Sequence, residues 1–390
     1  MSDSLAIGMV CYPGLGGSAV IAADLAIGLA RRGHRVHVIA SSPPTRIVPQ
    51  CERLTFHEVT VADYPLFEHP PYELGLSSAI LEVCEDHSLD LVHSHYAVPH
   101  STSAYLARQA LAGAAPKLIT TLHGTDVTRI GADPRYRAVI RFAVAASDGI
   151  TVPSSFLRGE AQRLLGLDDA AAIEVIPNFV DTARFSPAAP GGAAHWAELF
   201  GEAVGSAEPR APVLFHVSNF RPVKRVTDLI EVLARVRQQV PARLVLVGDG
   251  PERALAAERA RAFDLGKSVC FLGKRTDFAD HLRHADAFLL PSEAESFGVA
   301  ALEALSSGVP VFGYRVGGLP EVVTPEVGEL VEPFDVDALA GAVLRALADS
   351  ERHQRLRAAA RQRAVAHFHD EPAIARYESY YRRILAGANP

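Results

Sequence analysis

Residues 287–304 read AFLLPSEAESFGVAALEA and determine the fold that the sequence predicts. The apolar run Ala287–Leu290 is typical of a strand that is buried on both faces, as parallel strands are. Gly298 then stands at the predicted start of an apolar helix, where free backbone N–H groups can bind phosphate oxygens. This order predicts an α/β fold whose strand ends bind an anionic ligand.

Two acids flank this helix start. Glu295 and Glu303 lie eight residues apart, which is about 12 Å of rise along a helix. That separation is too large for the paired carboxyls of a glycosidase, which lie about 5–9.5 Å apart. We therefore expect each acid to hold hydroxyls at one end of an elongated ligand, with a diphosphate between them. The predicted contacts to this ligand in the segment are Ser296, Phe297, Gly298, Val299 and Glu303.

The same strand-and-helix alternation continues outward in both directions. Buried strands are predicted in the first half at 6–12, 35–40, 55–61, 89–95, 117–122, 149–153 and 174–176, and in the second at 213–217, 244–247, 269–272, 287–290, 309–312 and 329–331. A stretch at 186–212 is rich in Pro, Gly and Ala and separates the halves. The predicted domains are residues 1–185, 186–370 and a C-terminal helix at 371–390 that crosses back to the N-terminal domain. The fold class is α/β, with two Rossmann-like domains and a cleft between them.

Composition narrows the function class. The chain has 390 residues, enough for two domains, and a net charge of −7, which argues against a nucleic-acid surface. The N-terminus lacks a cationic segment before its apolar stretch, and no run of about 18 apolar residues occurs, so we predict neither a signal peptide nor a membrane span. The four cysteines form no C-x-x-C pair, which indicates reduced thiols in a cytoplasmic protein.

A basic turn follows the first strand of the second half. Arg221, Lys224 and Arg225 place three cations in five residues at a strand's carboxyl end. Such cations repel one another unless an anion lies among them, and a diphosphate suits the fork of Arg and the point charge of Lys. A solvated basic turn before a helix is the alternative.

Two glycine-rich turns are candidate ligand loops. Gly14, Gly16 and Gly17 with Ser18 follow the first strand, and Ser18 is expected to cap the next helix. A dinucleotide site would need an acid at the end of strand two, which reads VIASS. An anion or acceptor loop is therefore favoured, with a structural turn as the alternative. The turn containing Gly248 and Gly250 either brings the backbone close to a ligand or is a tight turn with no ligand role.

Polar side chains end two strands of the first half. His93, His95 and Tyr96 end one strand, and His123 and Asp126 follow the next along the chain. Neighbouring parallel strands end at the same edge of a sheet, so these side chains should line one crevice. Their spacing is not that of a zinc site, and hydrogen bonding to a sugar or acceptor is favoured over metal binding or structural caps.

These motifs together carry a family resemblance. ESFGVAALEA, the turn ending in Lys224, GDGPE and VIPNFVD at 175–181 resemble the retaining glycosyltransferases of family 4, and the match spans nearly the whole chain. The resemblance implies the GT-B fold, a nucleotide-diphosphate sugar donor, retention at the anomeric carbon and no obligatory metal. Asp335 and Asp337 form a D-x-D, but it lies outside the predicted cleft.

Longer stretches, such as VHSHYAVPHSTSAYLA and FHVSNFRPVKRV, resemble a subgroup of this family that acts in the bacillithiol pathway. That subgroup moves N-acetylglucosamine from UDP-N-acetylglucosamine to the hydroxyl of L-malate. Many family members carry Arg where Asn219 stands, which leaves Arg221 as the replacement cation.

The resemblance implies a role for each site residue. Glu295 binds sugar hydroxyls, Glu303 binds ribose and His123 contacts the sugar near the reaction centre. The implied catalytic residues are Arg221, Lys224, Glu295 and His123. Further donor contacts are predicted at Gly16, Gly17, Asn219, Arg225, Gly248, Gly250, Lys274 and Arg275. The predicted malate contacts are Ser18, Tyr96, Thr121 and Asn219.

Several alternatives stay open at this point. The same chemistry could serve another acceptor, such as an inositol phosphate or a saccharide. A UDP-sugar epimerase and a binding module without catalysis are rivals of different class. Whether the chain forms a homodimer is also left open.

Overall fold

The computed structural model describes residues 4–14, 16–46, 51–61, 68–167, 173–188, 195–196, 199–200 and 211–387. The chain forms two compact units, Met1–Asn178 with Asp370–Pro390, and Phe179–His369. The boundary at 178/179 precedes the predicted 185/186 because Val180 and Phe185 are buried in the core of the second unit. Most of the predicted linker lies outside the described residues, but Trp196 is buried in that same core.

The first unit contains a seven-stranded parallel sheet in the order β3-β2-β1-β4-β5-β6-β7. Its strands are β1 Ala6–Val10, β2 Arg35–Ala40, β3 Leu54–Glu58, β4 Leu91–His95, β5 Lys117–Thr121, β6 Gly149–Val152 and β7 Ile173–Val175. Most of these strands are fully buried, as their continuous apolar runs predict, whereas the edge strand β3 is half-exposed. The prediction of an α/β unit is confirmed.

The helices of the first unit are α1 Gly17–Arg31, α2 Tyr72–His87, α3 Thr102–Ala110, α4 Pro134–Ala145 and α5 Ser155–Leu165. Short π-type turns occupy Ala97–Ser101 and Thr125–Ile130. The prediction that Ser18 caps α1 is wrong. The helix already begins at Gly17, so Ser18 lies inside it and Gly16 is the N-cap. No side-chain hydrogen bond caps this helix start. Gly33, with a φ of 96°, follows the end of α1, where a glycine in the left-handed region commonly ends a helix.

The second unit contains a six-stranded parallel sheet in the order β10-β9-β8-β11-β12-β13. Its strands are β8 Val213–Val217, β9 Arg243–Val247, β10 Val269–Gly273, β11 Ala287–Leu290, β12 Val311–Tyr314 and β13 Gly328–Val331. Alternate residues supply cores on opposite faces, with Val245 in one and Leu244 in the other. Both faces of this sheet are therefore covered by helices.

The helices of the second unit are α6 Val226–Val236, α7 Arg253–Ala262, α8 Phe278–Leu282, α9 Val299–Ser306, α10 Leu319–Val322, α11 Val336–Ala348 and α12 Ser350–His367. The last helix, α13 (Asp370–Leu385), belongs to the first unit, where Tyr377, Tyr380 and Tyr381 are buried. Across the described parts of the chain, none of these helices has the length and apolar composition that a membrane crossing requires.

Both sheets share one topological feature that positions the site. In each, the chain starts in a central strand, moves to one edge and then returns to the other side of that strand. The strand order therefore reverses between β1 and β4 in the first unit and between β8 and β11 in the second. Ligands of open α/β sheets bind at the carboxyl ends of the strands beside such a reversal. Predicted site loops follow all four of these strands, and further ones follow β5, β9 and β10.

Candidate functional site

In the second unit, the loops after β8 and β11 meet through one ion pair. Nζ of Lys224 donates to Oε1 of Glu295 at 2.5 Å, and the Ser292 hydroxyl donates to the same oxygen at 2.8 Å. The side chains of Lys224 and Glu295 are 22% and 12% exposed, so the pair is largely shielded from water. The structure thus links the cation predicted for the diphosphate with the acid predicted for the sugar.

The backbone around Lys224 explains this meeting. Pro222–Lys224 form a single 3-10 turn, and Arg225 follows with a φ of 51° before α6 begins. The N–H of Glu293 donates to the carbonyl of Val223 at 2.8 Å, which fastens the turn to the loop after β11. A hydrogen bond from Gly318 N–H to the Glu295 carbonyl, at 2.9 Å, holds the other side of that loop.

The three predicted diphosphate cations have different surroundings. Arg225 forms a two-pronged pair with Asp228 at 2.9 and 3.1 Å, and the Tyr314 hydroxyl donates to that carboxylate at 2.8 Å. Arg221 is exposed, and its guanidinium forms no ion pair within the part of the chain that the structure describes. Arg221 is therefore available to bind an anion, whereas the guanidinium of Arg225 is already paired with Asp228.

The two predicted donor contacts after β10 lie on the surface. Lys274 is exposed. Arg275 forms a fork with Asp277, with contacts of 2.7 and 2.8 Å. This pairing lowers the pKa of Asp277 to about 2 and raises that of Arg275. Their donor roles stay predictions.

The glycines after β9 bring two backbone segments together. Gly248 and Gly250 have φ values of 126° and 157°. A Cβ at Gly248 would lie 1.8 Å from the Ser218 carbonyl oxygen, and one at Gly250 would lie 2.1 Å from that of Asn219. Both glycines therefore have a structural reason for their presence, which is to let the β9 turn pack on the Ser218–Asn219 turn. Their donor contacts stay predictions.

Helix α9 begins at the loop that carries Glu295. Its N-cap, Gly298, has a φ of 102°, and the Phe297 side chain points into the core against Phe368. Ser296 and Val299 are half-buried, and Glu303 is only 5% exposed. Glu303 is therefore a buried acid on an apolar helix that begins at a glycine. Such an acid fits a residue that binds a specific ligand group.

A buried histidine supports the basic turn from below, and sequence reasoning missed it. Nδ1 of His216 donates to the Leu289 carbonyl at 2.8 Å, so Nε2 accepts the Ser218 hydroxyl at 2.8 Å. Ser218 Oγ in turn accepts the Phe220 N–H at 3.3 Å. Burial lowers the pKa of His216 to about 4, which keeps the ring neutral. The only signal was a polar residue inside the apolar strand Val213–Val217.

In the first unit, the predicted polar cluster is confirmed as a contiguous group. His95 Nδ1 and His123 Nε2 are hydrogen-bonded at 2.8 Å, and the His123 ring lies 5.1 Å from that of Tyr96. Burial, reinforced by His100, lowers the pKa of His123 to about 3. Because the His123 ring is neutral and only half-buried, it can form a hydrogen bond with a ligand without carrying charge.

Thr121 lies behind this cluster. Its side chain is fully buried, and its hydroxyl is hydrogen-bonded to His93 at 2.7 Å and to Thr151 at 2.5 Å. His93 is bonded in turn to the Tyr381 hydroxyl of α13 at 2.7 Å. The acceptor contact of Thr121 stays a prediction, and the structure gives it a second role in orienting His93.

The backbone at Tyr96 is strained. Its φ is 97°, a region that side-chain-bearing residues rarely adopt, and the strain costs about 1–3 kcal/mol. A hydrogen bond from its N–H to the Thr121 carbonyl, at 2.9 Å, holds it there. Tyr12 packs against Tyr96 with ring centroids 5.5 Å apart. Strain of this kind concentrates at binding sites, which supports the predicted ligand contact.

Asp126 ties the loops after β4 and β5 together. Its carboxylate is fully buried and accepts the N–H groups of Ala97 at 3.1 Å, His123 at 3.2 Å and Gly124 at 2.9 Å. Burial raises the pKa of Asp126, and these hydrogen bonds oppose that shift. Sequence reasoning placed Asp126 in the crevice but missed that it organises the backbone there.

The glycine loop of the first unit is open. Gly16 and Gly17 are exposed, Ser18 is half-buried and Leu15 lies outside the described residues. The first N–H groups of the 15-residue helix α1 begin here. Exposed glycines at a helix start are suited to an anion, so this loop can serve an acceptor carboxylate or phosphate.

Comparison with known proteins gives two family matches. Residues 15–184 match the model "Glycosyltransferase Family 4", and residues 203–363 match "Glycosyl transferases group 1". An N-acetyl-alpha-D-glucosaminyl L-malate synthase of Bacillus anthracis is 39% identical over 382 residues, which cover 98% of this chain and 97% of the relative. A D-inositol 3-phosphate glycosyltransferase of Jonesia denitrificans is 30% identical and covers 77% of this chain and 73% of its own.

Solved structures share the fold. A sucrose-phosphate synthase of Thermosynechococcus elongatus superposes with a TM-score of 0.80 at 23% identity, covering 98% of this chain and 100% of the other. The Anabaena protein HepE, in complex with UDP-glucose, gives a TM-score of 0.76 at 21% identity, covering 96% and 100%. With these matches over both units, the chain belongs to glycosyltransferase family 4, as a retaining, sugar-nucleotide-dependent enzyme of the GT-B fold.

Proposed function

We propose that this enzyme transfers N-acetylglucosamine from UDP-N-acetylglucosamine to the hydroxyl of L-malate, the first step of bacillithiol biosynthesis. The observation that carries the proposal is the 39% identity to a synthase of this activity over nearly the full length of both chains. Relatives named for other acceptors match a smaller share of the chain at lower identity, such as the inositol-phosphate enzyme at 77% and 30%.

The donor half of the proposal rests on the second unit. Glu295 accepts hydroxyls of the sugar, and Glu303 accepts those of the ribose. The diphosphate lies over the start of α9 at Gly298, where free N–H groups and the positive end of the helix dipole favour an anion. Arg221, which is exposed, and Lys224 complete the cationic side.

The chemical step is the breaking of the bond between the anomeric carbon and the diphosphate. Negative charge grows on the leaving oxygens, and Arg221, Lys224 and the α9 N–H groups stabilise it. The malate hydroxyl attacks the anomeric carbon from the same face from which the leaving group departs. A phosphate oxygen of the donor takes the proton of that hydroxyl. The products are UDP and the α-glycoside of malate, and no protein nucleophile takes part.

The acceptor half rests on the first unit. Malate carries two carboxylates, and the exposed glycines at the start of α1 offer N–H groups to one of them. Ser18 and Tyr96 offer hydroxyls nearby, and His123 contacts the sugar as a neutral ring. Asn219 and Thr121 stay predicted acceptor contacts.

The test is mass analysis of the products formed from UDP-N-acetylglucosamine with and without L-malate. We expect equimolar UDP and a glycosyl malate only when malate is present, with the α configuration by NMR. Parallel reactions with D-malate and an inositol phosphate check the acceptor. Consumption of donor without malate, to give an epimer, or preference for the inositol phosphate would overturn the proposal.

Two further properties, activity without a metal ion and a cytoplasmic location, stay predictions from the sequence. Whether the chain assembles into a homodimer stays open. Assays with and without a chelator test the first property, and the molar mass in solution tests assembly.

A further inference from the structure

We propose that His37, His57 and His87 form a binding site for a divalent transition-metal ion of the zinc type, at the edge of the sheet in the first unit. One ring nitrogen from each residue lies within 4.8 Å of the other two. Among the described residues, this is the one group of three metal-ligand side chains whose ligand atoms converge in this way. The glycosyl-transfer mechanism uses none of the three.

The fold brings these histidines together from three separate elements. β3 pairs in parallel with β2, with His57 opposite Ile39 and Thr55 opposite His37. His37 and His57 therefore project from the same face of the sheet, because residues two apart along a strand share a face. Helix α2 packs on that face through the cluster containing Ile39, and His87 is its last residue.

The distances are close to those of a metal centre. His37 Nδ1 and His57 Nε2 are 3.0 Å apart, and the rings of His37 and His87 lie 4.2 Å apart, centroid to centroid. Zinc binds imidazole nitrogen at about 2.0–2.1 Å, so tetrahedral ligands lie about 3.4 Å from one another. The proposal requires the ring of His87 to leave its stacked position against His37, so that three nitrogens point at one ion.

The chemistry of the donor set selects the ion. Imidazole nitrogens suit Zn²⁺, Cu²⁺ and Ni²⁺, and they are poor ligands for Mg²⁺ and Ca²⁺, which prefer oxygen. His37 is 6% exposed, while His57 and His87 are half-buried, which leaves a path for the ion.

Two acids stand beside the cluster. Glu82 and Asp86 on α2 are exposed, and both act on His57 electrostatically by opposing the lowering of its pKa. Water can fill the fourth position of a tetrahedral ion. A bound ion would tie the edge strand β3 to β2 and to the end of α2, and it would slow local opening of β3.

The test uses full-length, tag-free protein that has been stripped with a chelator and then titrated with Zn²⁺ against a chromophoric competitor. We expect about one tight site per chain, and His57→Asn and His87→Asn should each weaken it at least about tenfold. His69→Asn is the matched control, since His69 is exposed shortly before α2 and lies outside the cluster.

Hydrogen exchange supplies a second readout. Zn²⁺ should slow exchange of the Leu54–Glu58 amides in the wild type and in His69→Asn, but not in the two cluster variants. Circular dichroism of each metal-free variant checks that it folds, and His87 at a helix end is the substitution least able to disturb the sheet. Equal Zn²⁺ affinity of the wild type and both cluster variants, or no change in β3 exchange, would overturn the proposal.

Discussion

The ammonium group of Lys224 lies 2.5 Å from Oε1 of Glu295, a residue 71 positions further along the chain. The pair joins the end of β8 to the end of β11, beside the strand-order reversal of the second unit. In the absence of donor each side chain is neutralised by the other, so neither is a bare charge in a shielded site. In the proposed mechanism, a bound donor exchanges this contact for its own phosphate and hydroxyl groups.

Replacement of Lys224 by Ala should chiefly lower kcat, by about 10²–10³, with a smaller change in KM. The reason is that the cation's contact strengthens as charge grows on the leaving diphosphate. Steady-state kinetics with varied UDP-N-acetylglucosamine measure both constants. Lys267→Ala, at an exposed position in the same unit, is the control and should leave both unchanged. Unaltered kcat in Lys224→Ala would remove this residue from the mechanism.

The Lys224–Glu295 pair should behave as one unit in a double-mutant cycle. Glu295→Gln keeps an acceptor for the Ser292 hydroxyl but removes the charge that Lys224 faces. We expect losses in kcat/KM that are not additive, with a coupling energy of about 1–3 kcal/mol. Strict additivity of Lys224→Ala and Glu295→Gln would mean that the two side chains act independently.

Gly248→Ala should destabilise the second unit by about 3 kcal/mol. The added Cβ meets the Ser218 carbonyl oxygen at 1.8 Å, and a φ of 126° disfavours any side chain. Thermal unfolding followed by circular dichroism measures the change. Gly266→Ala, whose added Cβ has nothing within 4 Å, should unfold at the wild-type temperature or slightly above. Similar midpoints for both variants would contradict the close packing of the two turns.

Asp126→Ala should destabilise the first unit by about 3 kcal/mol, because it leaves three backbone N–H groups without their acceptor. It should also raise the KM for the acceptor, since the loops carrying Tyr96 and His123 lose their common anchor. Asp126→Asn retains one carbonyl oxygen and should recover part of both effects. A destabilised Asp126→Ala with an unchanged acceptor KM would limit Asp126 to a role in folding.

The stability of the second unit should fall as the pH is lowered from 6.5 to about 4, in part because of His216. The folded-state pKa of His216 is about 4, below the ordinary 6.5, so the unfolded chain binds more protons in this window. Above pH 6.5 the contribution is fully present, and it is lost progressively toward pH 4, by about 3 kcal/mol. Urea unfolding from pH 8 to 4 should give a shallower slope for His216→Asn than for the wild type. Equal slopes for the two proteins would contradict a neutral, buried His216.

The elements of the fold were largely predictable. The strands Arg35–Ala40, Val213–Val217 and Ala287–Leu290 have the predicted bounds at both ends, because a strand buried on both faces consists mainly of apolar residues. The clusters at the strand ends were predictable for a different reason, which is that adjacent parallel strands end at the same edge of a sheet. His95 and His123 met as expected.

Contacts between distant side chains were not predictable from local patterns. Nothing in the basic turn indicates that Lys224 pairs with Glu295, 71 residues further along the chain. The positive φ of Phe220 and Tyr96 could not be anticipated either, because these residue types rarely adopt it and only the surrounding packing enforces it. The sequence also leaves the purpose of the Gly248 turn open, because the close approach of Ser218 depends on packing between separate parts of the chain.

Helix α13 leaves the first unit discontinuous in sequence. The segment 1–178 emerges from the ribosome first, yet Tyr377, Tyr380 and Tyr381 reach it only after the whole of 179–369 has been made. Until then the His93 ring lacks the Tyr381 hydroxyl that it meets in the finished chain. The unit that is translated first is thus completed last. A nonsense mutation or a protease cut just after His369 would remove α13 from the first unit, and it would spare the second unit, although the break lies next to that unit in the sequence.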